Sequence, residues 1–264
     1  MSSYEPRVIA IANQKGGVGK TTTALTLGAA LVILKKKTLV IDLDPHASAT
    51  IHLAYYPETI HESVVDIFLK ESPSREDLHG LIQRNKRHFF DFIPGSIKLS
   101  VVEAELKDRV GKGRILKRVL SMLDGDYEYI ILDCPPSFGV ILVNALVAST
   151  LTVIPIQAEF LALHGLRLTF DTIRMLNKVL PHPLSYKALA TMFDRRVGAC
   201  RRVVEVLREN LKDRFFKTII GIDTKFREAS ARGEIIYNLA PASRGAKQYL
   251  ELAREIIDHE HEDS

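Results

Sequence analysis

The run Asn13-Gln14-Lys15-Gly16-Gly17-Val18-Gly19-Lys20-Thr21-Thr22 decides the fold. An apolar stretch, Val8-Ile9-Ala10-Ile11-Ala12, precedes it, and a helical pattern from Thr23 to Leu31 follows. A strand, a glycine-rich turn and a Gly-Lys-Thr opening a helix form the context of a phosphate-binding P-loop. Gly16, Gly17 and Gly19 let successive N–H groups, that of Val18 among them, turn toward one anion. The helix N-terminus adds its partial positive charge. In this reading Lys20 reaches the terminal phosphates of a nucleotide, Thr21 places a hydroxyl on a magnesium ion, and Thr22 completes the loop.

Two further strands support the loop. Thr38–Leu43 is apolar and leads into Asp42, Asp44, Pro45 and His46, so carboxylates stand at the strand's carboxyl end, where open α/β sheets bind ligands. A plainer alternative for Asp42 is a cap on the following helix. Tyr127–Asp133 delivers a single aspartate at its tip, followed by Cys134-Pro135-Pro136-Ser137. That is the arrangement in which Asp133 acts on magnesium, directly or through water. Farther along, strands over Leu151–Ile156, Ser185–Phe193 and Phe215–Ile222 alternate with helices over Leu161–Val179, Val197–Leu211 and Ser243–Ile257. Helices are also expected over Ser63–Lys70, Lys98–Asp108 and Arg114–Leu123, and within Ser74–Arg87. Alternation of this kind predicts an α/β fold with a mostly parallel sheet covered by helices on both faces. One domain over residues 1–264 is expected, with 1–6 and 258–264 as disordered tails.

The chain has 264 residues, 46% of them hydrophobic and 26% charged, which is enough for a sizeable core and typical of soluble proteins. Two cysteines, Cys134 and Cys200, give no disulfide framework and point to a reducing cytosol. The longest apolar run, residues 140–156, is broken by Asn144, Ser149, Thr150, Thr152 and Pro155, and so does not read as a membrane span. The formal charge is only +4, yet residues 195–232 hold eleven Lys/Arg against five Asp/Glu. Arg195, Arg196, Arg201 and Arg202 flank one helix start, while Lys225, Arg227 and Arg232 follow the last strand. Side by side, these groups form a patch suited to phosphate contacts without sequence readout; the alternative is a solvated face partly paired with glutamates.

The Lys-Gly-Gly-Val-Gly-Lys-Thr-Thr run resembles the deviant Walker A box of the ParA/MinD/Soj ATPases. Asp42–Pro45 resembles that family's switch I, and Asp133–Ser137 its switch II. The resemblance implies ATP and Mg2+ as ligands and an ATP-dependent homodimer in which Lys15 crosses to the partner's nucleotide. It also implies that Asp44 orients the attacking water. Segments around Met192 and Asp223 resemble the family's adenine-side loops, which assigns both residues to the nucleotide. In ParA/Soj relatives, arginines near Arg195 and Arg227 contact double-stranded DNA without sequence preference, and a ParB/Spo0J-like activator stimulates hydrolysis. This implies a nucleoid-associated, cytoplasmic positioning ATPase with no membrane insertion. His46, Ala47 and Ser48 depart from the usual Gln-Gly-Asn, and His164 stands where glutamate is common. An alternative resemblance is to MinD/FlhG-like enzymes that act on membrane surfaces, although the end of this chain is acidic. A third is to the nitrogenase iron protein, which would need the two cysteines as cluster ligands.

Overall fold

The computed structural model describes residues 5–106, 108–159, 162–180 and 182–262. In chain order the elements are β1 (Arg7–Ile11), α1 (Lys20–Ile33), β2 (Thr38–Asp42), α2 (Ser48–His52), α3 (Val65–Leu69) and α4 (Arg75–Leu81). There follow β3 (Gln83–Arg84), β4 (Asp91–Ile93), α5 (Leu99–Glu105), α6 (Ile115–Leu120), β5 (Tyr129–Asp133), α7 (Val140–Ala148) and β6 (Leu151–Gln157). The chain continues through α8 (Ala162–Asn177), β7 (Tyr186–Thr191), α9 (Gly198–Leu211), α10 (Lys225–Ser230), α11 (Ile236–Leu239) and α12 (Arg244–Glu262).

The strands form one sheet in the order β3-β4-β2-β5-β1-β6-β7, parallel throughout except for the antiparallel edge strand β3. Because side chains alternate across a strand, each strand feeds two cores. Val8, Ala10, Leu39, Ile41, Ile130 and Leu132 face α3 to α7, whereas Ile9, Ile11, Val40, Tyr129 and Ile131 face α1, α2, α11 and α12. Ile154, Ile156, Ala188 and Ala190 extend the first face under α8 and α9. Strands covered on both sides have no polar face to show. Their near-continuous apolar sequence follows from that.

Several expected boundaries shift for physical reasons. Phe215–Ile222 does not form a continuous strand. It touches β7 and the residues after it at two isolated parallel bridges, Ala188 with Phe215 and Phe193 with Gly221. Between them the Glu255 carboxylate of α12 accepts the N–H groups of Lys217 and Thr218, which draws that backbone off the sheet edge. Ser74–Arg87 splits into α4, opened by a Ser74–Asp77 capping box, and the short β3. His88, the last residue of the run Arg84-Asn85-Lys86-Arg87-His88, is buried. Helix α12 continues to Glu262, past the Ile257 boundary expected for it.

The helix behind the P-loop is held by close approach. Gly28 lies in the middle of α1, where a Cβ would stand 2.7 Å from Val40 Cγ2 and 3.2 Å from the Phe90 ring. Tyr249 of α12, fully buried, shares a 2.8 Å hydrogen bond with the Thr23 hydroxyl. Gly28→Ala gains about 1 kcal/mol of helix propensity but overfills this contact at about 1–3 kcal/mol, so we expect a net loss of up to about 2 kcal/mol. The check is the urea midpoint at unchanged m-value.

Candidate nucleotide site

Contacts within the chain shape the P-loop. Asn13, buried at the end of β1, accepts the Lys15 N–H at 2.9 Å and donates to the Pro155 carbonyl at 2.8 Å, pinning the loop to β6. Gly17 (φ 74°) and Gly19 (φ 89°) sit in the left-handed region that glycine enters without strain. A Cβ added at Gly16 or Gly17 would meet nothing within 4 Å, so this stretch of backbone lines open space. Thr191 at the end of β7 donates to the Val18 carbonyl at 2.9 Å, and Gly19 caps α1 without any side-chain bond. The first N–H groups of α1 thus have no capping side chain, as a helix end that binds an anion requires.

Three strand tips meet there. β5 pairs in register with both neighbours, which brings Asp133 level with Ile11 of β1 and with Asp42 of β2. Asp42 is fully buried and spoken for. Its Oδ2 accepts the Thr50 N–H at 2.9 Å and hydroxyl at 2.7 Å, and its Oδ1 accepts the Asp44 N–H at 3.0 Å. Thr50 belongs to the first turn of α2, so Asp42 caps that helix from the strand. Burial pushes its pKa up to about 6, partly offset by these bonds.

Asp133 is different. It is 1% exposed, and neither carboxylate oxygen has a hydrogen-bond partner among the described residues. Burial, followed by the charge of Asp42, raises its pKa well above the usual carboxylate range, while Thr21 and Lys20 draw it down. Lys20 is itself buried, its ammonium donates to the Lys15 carbonyl at 3.2 Å, and burial lowers its pKa against the pull of Asp133 and Asp44. An unpartnered buried carboxylate beside a threonine hydroxyl suits a hard divalent cation, which takes oxygen ligands and would supply the missing charge.

The remaining expected residues are spread around this centre. Asp44 is nearly buried and bonds to His46. Lys15 does not point outward but ion-pairs with Glu159, just past β6, a partner with no sequence signal beyond its position. Both members are partly exposed, so the pair contributes about 0–1 kcal/mol and is readily exchanged. Met192 lies just past β7 with φ 51°, its side chain beside Gly19. Asp223 is occupied structurally, its two oxygens accepting the N–H groups of Lys225 at 3.0 Å and Gly245 at 2.9 Å. The side chain of His164 lies outside the described residues. A separate concavity of about 510 Å³ opens at the opposite ends of the strands, lined by Lys35–Thr38, Arg84 and Asp91. It lies across the sheet from the strand tips where such folds bind ligands.

The segments that lead into the two basic groups are adjacent at Phe193 and Ile222. Phe193 donates to the Ile220 carbonyl at 3.0 Å and accepts the Ile222 N–H at 3.2 Å, so the chain leaving β7 runs beside the segment entering α10. Arg195, Arg201, Arg202, Arg227 and Arg232 are exposed. Arg196 is engaged by Asp194 in a two-pronged bond, and Lys225 pairs with Glu228. Arg244, which the sequence marks only as part of the last helix, donates to the Ile222 carbonyl.

A glycine loop opening α1, with carboxylates at the tips of the two strands on one side of it, defines a P-loop nucleotide-binding protein. Comparison with known proteins narrows this. The sequence model of a family described as an AAA domain matches residues 6–186. The chain is 39% identical over 251 residues to the sporulation initiation inhibitor protein Soj of Bacillus subtilis, covering 95% of this chain and 98% of that one. It is 35% identical to the chromosome partitioning protein ParA of Myxococcus xanthus, covering 95% and 88%. A crystal structure of cobyrinic acid a,c-diamide synthase from Mycobacterium smegmatis, with bound ATP analogue and magnesium, aligns at TM-score 0.80 and 32% identity. That alignment covers 98% of this chain and 97% of the other. The chain belongs to the ParA/Soj family of P-loop NTPases.

The orphaned carboxylate gives a stability test. With its folded pKa raised, Asp133 holds its proton more tightly in the native state than in the unfolded one. Its ionisation therefore costs stability progressively as pH rises above the unfolded value. Asp133→Asn removes that cost. We expect the variant, without nucleotide or metal, to be more stable than wild type at neutral pH. The gain narrows as pH is lowered toward the ordinary carboxylate range. Denaturant melts across a pH series read both features.

Proposed function

We propose that the chain is an ATPase that dimerises around ATP, binds duplex DNA without sequence preference in that state, and releases it after hydrolysis. The observation that carries this reading is the buried, unpartnered Asp133 carboxylate beside Thr21 and Lys20 at the mouth of a preformed N–H cradle. Its relatives' names, Soj and ParA, support a role in chromosome or plasmid partitioning or another positioning task, with a ParB-like partner stimulating hydrolysis.

Phosphoryl transfer to water needs positioning and charge stabilisation more than covalent help. Residues Gly16–Thr22 hold the phosphates through backbone N–H groups, and Lys20 neutralises their terminal charge. Thr21 and Asp133 would hold Mg2+, which when bound neutralises charge on the phosphate oxygens. Asp44 accepts a hydrogen bond from the attacking water and so aims its lone pair. Lys15 leaves Glu159 to meet the charge that develops on the partner's nucleotide. Met192 flanks the loop at Gly19 and lies on the nucleotide's side. Asp223 serves the nucleotide indirectly, by fixing the loop between the basic segment and α12.

Two variants separate these roles. Asp44→Ala should bind ATP and accumulate as a stable dimer, while Lys15→Ala should bind ATP and stay monomeric. Light scattering with ATP, together with phosphate release, makes the distinction. Wild-type turnover by Asp44→Ala would remove that residue from the mechanism.

The DNA step follows from the dimer, because two-fold symmetry doubles the patch formed by Arg195, Arg196, Arg201, Arg202, Lys225, Arg227 and Arg232. Each phosphate contact adds about −0.9 to the slope of log affinity against log salt, so the ATP dimer should show both tighter binding and a steeper slope. Replacing Arg195 and Arg227 together should weaken binding to all duplexes alike and leave ATP-dependent dimerisation intact. These titrations are best made on Asp44→Ala, in which hydrolysis does not dissolve the complex. Equal affinity with ATP and ADP would overturn the DNA proposal.

A further inference from the structure

The Asp44 carboxylate is held in an asymmetric way. Its side chain is 10% exposed, yet the donors to it belong to a single residue. Oδ1 accepts the backbone N–H of His46 at 3.0 Å and also lies 3.0 Å from Nδ1 of the His46 ring. Among the described residues, nothing else donates to this carboxylate, and Oδ2 carries no hydrogen bond.

The surrounding backbone is fixed from both sides. The Asp44 N–H is bonded to Asp42, and the Asp44 carbonyl accepts the Ala47 N–H at 2.8 Å. Ala47 takes φ 50°, a left-handed conformation that costs a non-glycine residue roughly 1–2 kcal/mol. That turn leads directly into α2, while the ring of His46 is left 80% exposed. Packing therefore does not hold the imidazole in place; its contact with Oδ1 does. A carboxylate oxygen without a proton only accepts, and the donor it can take from this ring is Nδ1–H.

We propose that His46 is a positioning residue for hydrolysis. By fixing Oδ1, its Nδ1–H stops rotation of the Asp44 carboxylate and leaves Oδ2 as the oxygen presented to the attacking water. The inference rests on the ATPase reading above, in which Asp44 receives that water. His46 touches neither nucleotide nor water in this role and acts only through Asp44. The backbone bond from His46 survives any substitution there, so side-chain variants isolate the ring.

Three measurements test it. His46→Ala removes the donor at an exposed position. It should lower kcat about tenfold, the kinetic equivalent of one charge-assisted hydrogen bond, with KM for ATP unchanged. His46→Asn places an amide N–H where Nδ1 stood and should recover most of that loss. Nitrogen NMR of the wild-type ring, at a pH where it is neutral, should find the proton on Nδ1. Wild-type kcat in His46→Ala, no recovery in His46→Asn, or a proton on Nε2 would each overturn the proposal. A wild-type chain with no ATP turnover would instead defeat the functional reading. The NMR result would still decide whether the ring clamps Asp44.

Discussion

Everything at the active end of the sheet depends on how three carboxylates share one small, dry space. The parallel register of β2 with β5 sets Asp42 level with Asp133, and the next turn adds Asp44. Like charges this close, out of water, repel strongly unless each finds compensation. The fold gives each a different one. Asp42 accepts bonds from Thr50 and Asp44, Asp44 from the two donors of His46, and Asp133 has only the neighbourhood of Lys20 and Thr21. The chain's own groups therefore satisfy the site unevenly, and the residue left short of a partner is the one beside Lys20 of the phosphate loop.

That unevenness requires a rigid frame, and the frame comes from elements distant in sequence. Asn13 ties the loop to β6, Thr191 ties it to β7, and Tyr249 braces the helix behind it. The same C-terminal helix supplies Glu255, Gln248 and the Gly245 N–H to the segment carrying the basic groups. The phosphate loop and the arginine patch thus share one support, so that a shift of α12 against α1 would be felt at both.

Much of this was legible in the sequence, because the decisive signals are local. The P-loop residues and the two strand-tip aspartates announce themselves by order along the chain, and the α/β alternation follows from periodicity. What escaped depends on contacts between segments remote in sequence. Nothing near Glu159 says that it will hold Lys15, and Arg244 reads as the start of a helix until its side chain is seen on the Ile222 carbonyl. The broken edge after Phe215 was hidden for the same reason, since the carboxylate that draws it off the sheet lies on α12. Asp223 was assigned by resemblance alone, and only the fold shows that both of its oxygens accept backbone N–H groups. His46 was visible as a departure from a family pattern, but its meaning needed the 3.0 Å distance.

The brace between Thr23 and Tyr249 spans 226 residues of chain. β1, at the heart of the sheet, likewise has no neighbour until β5 and β6 exist. Non-local pairings of this kind slow folding, because the entropy of closing long loops must be overcome before the contacts form. During synthesis Thr23, behind the phosphate loop, emerges 226 residues ahead of the tyrosine that braces its helix. A half-made chain therefore has the motif without the frame. Its competence to hold nucleotide arrives late and all at once.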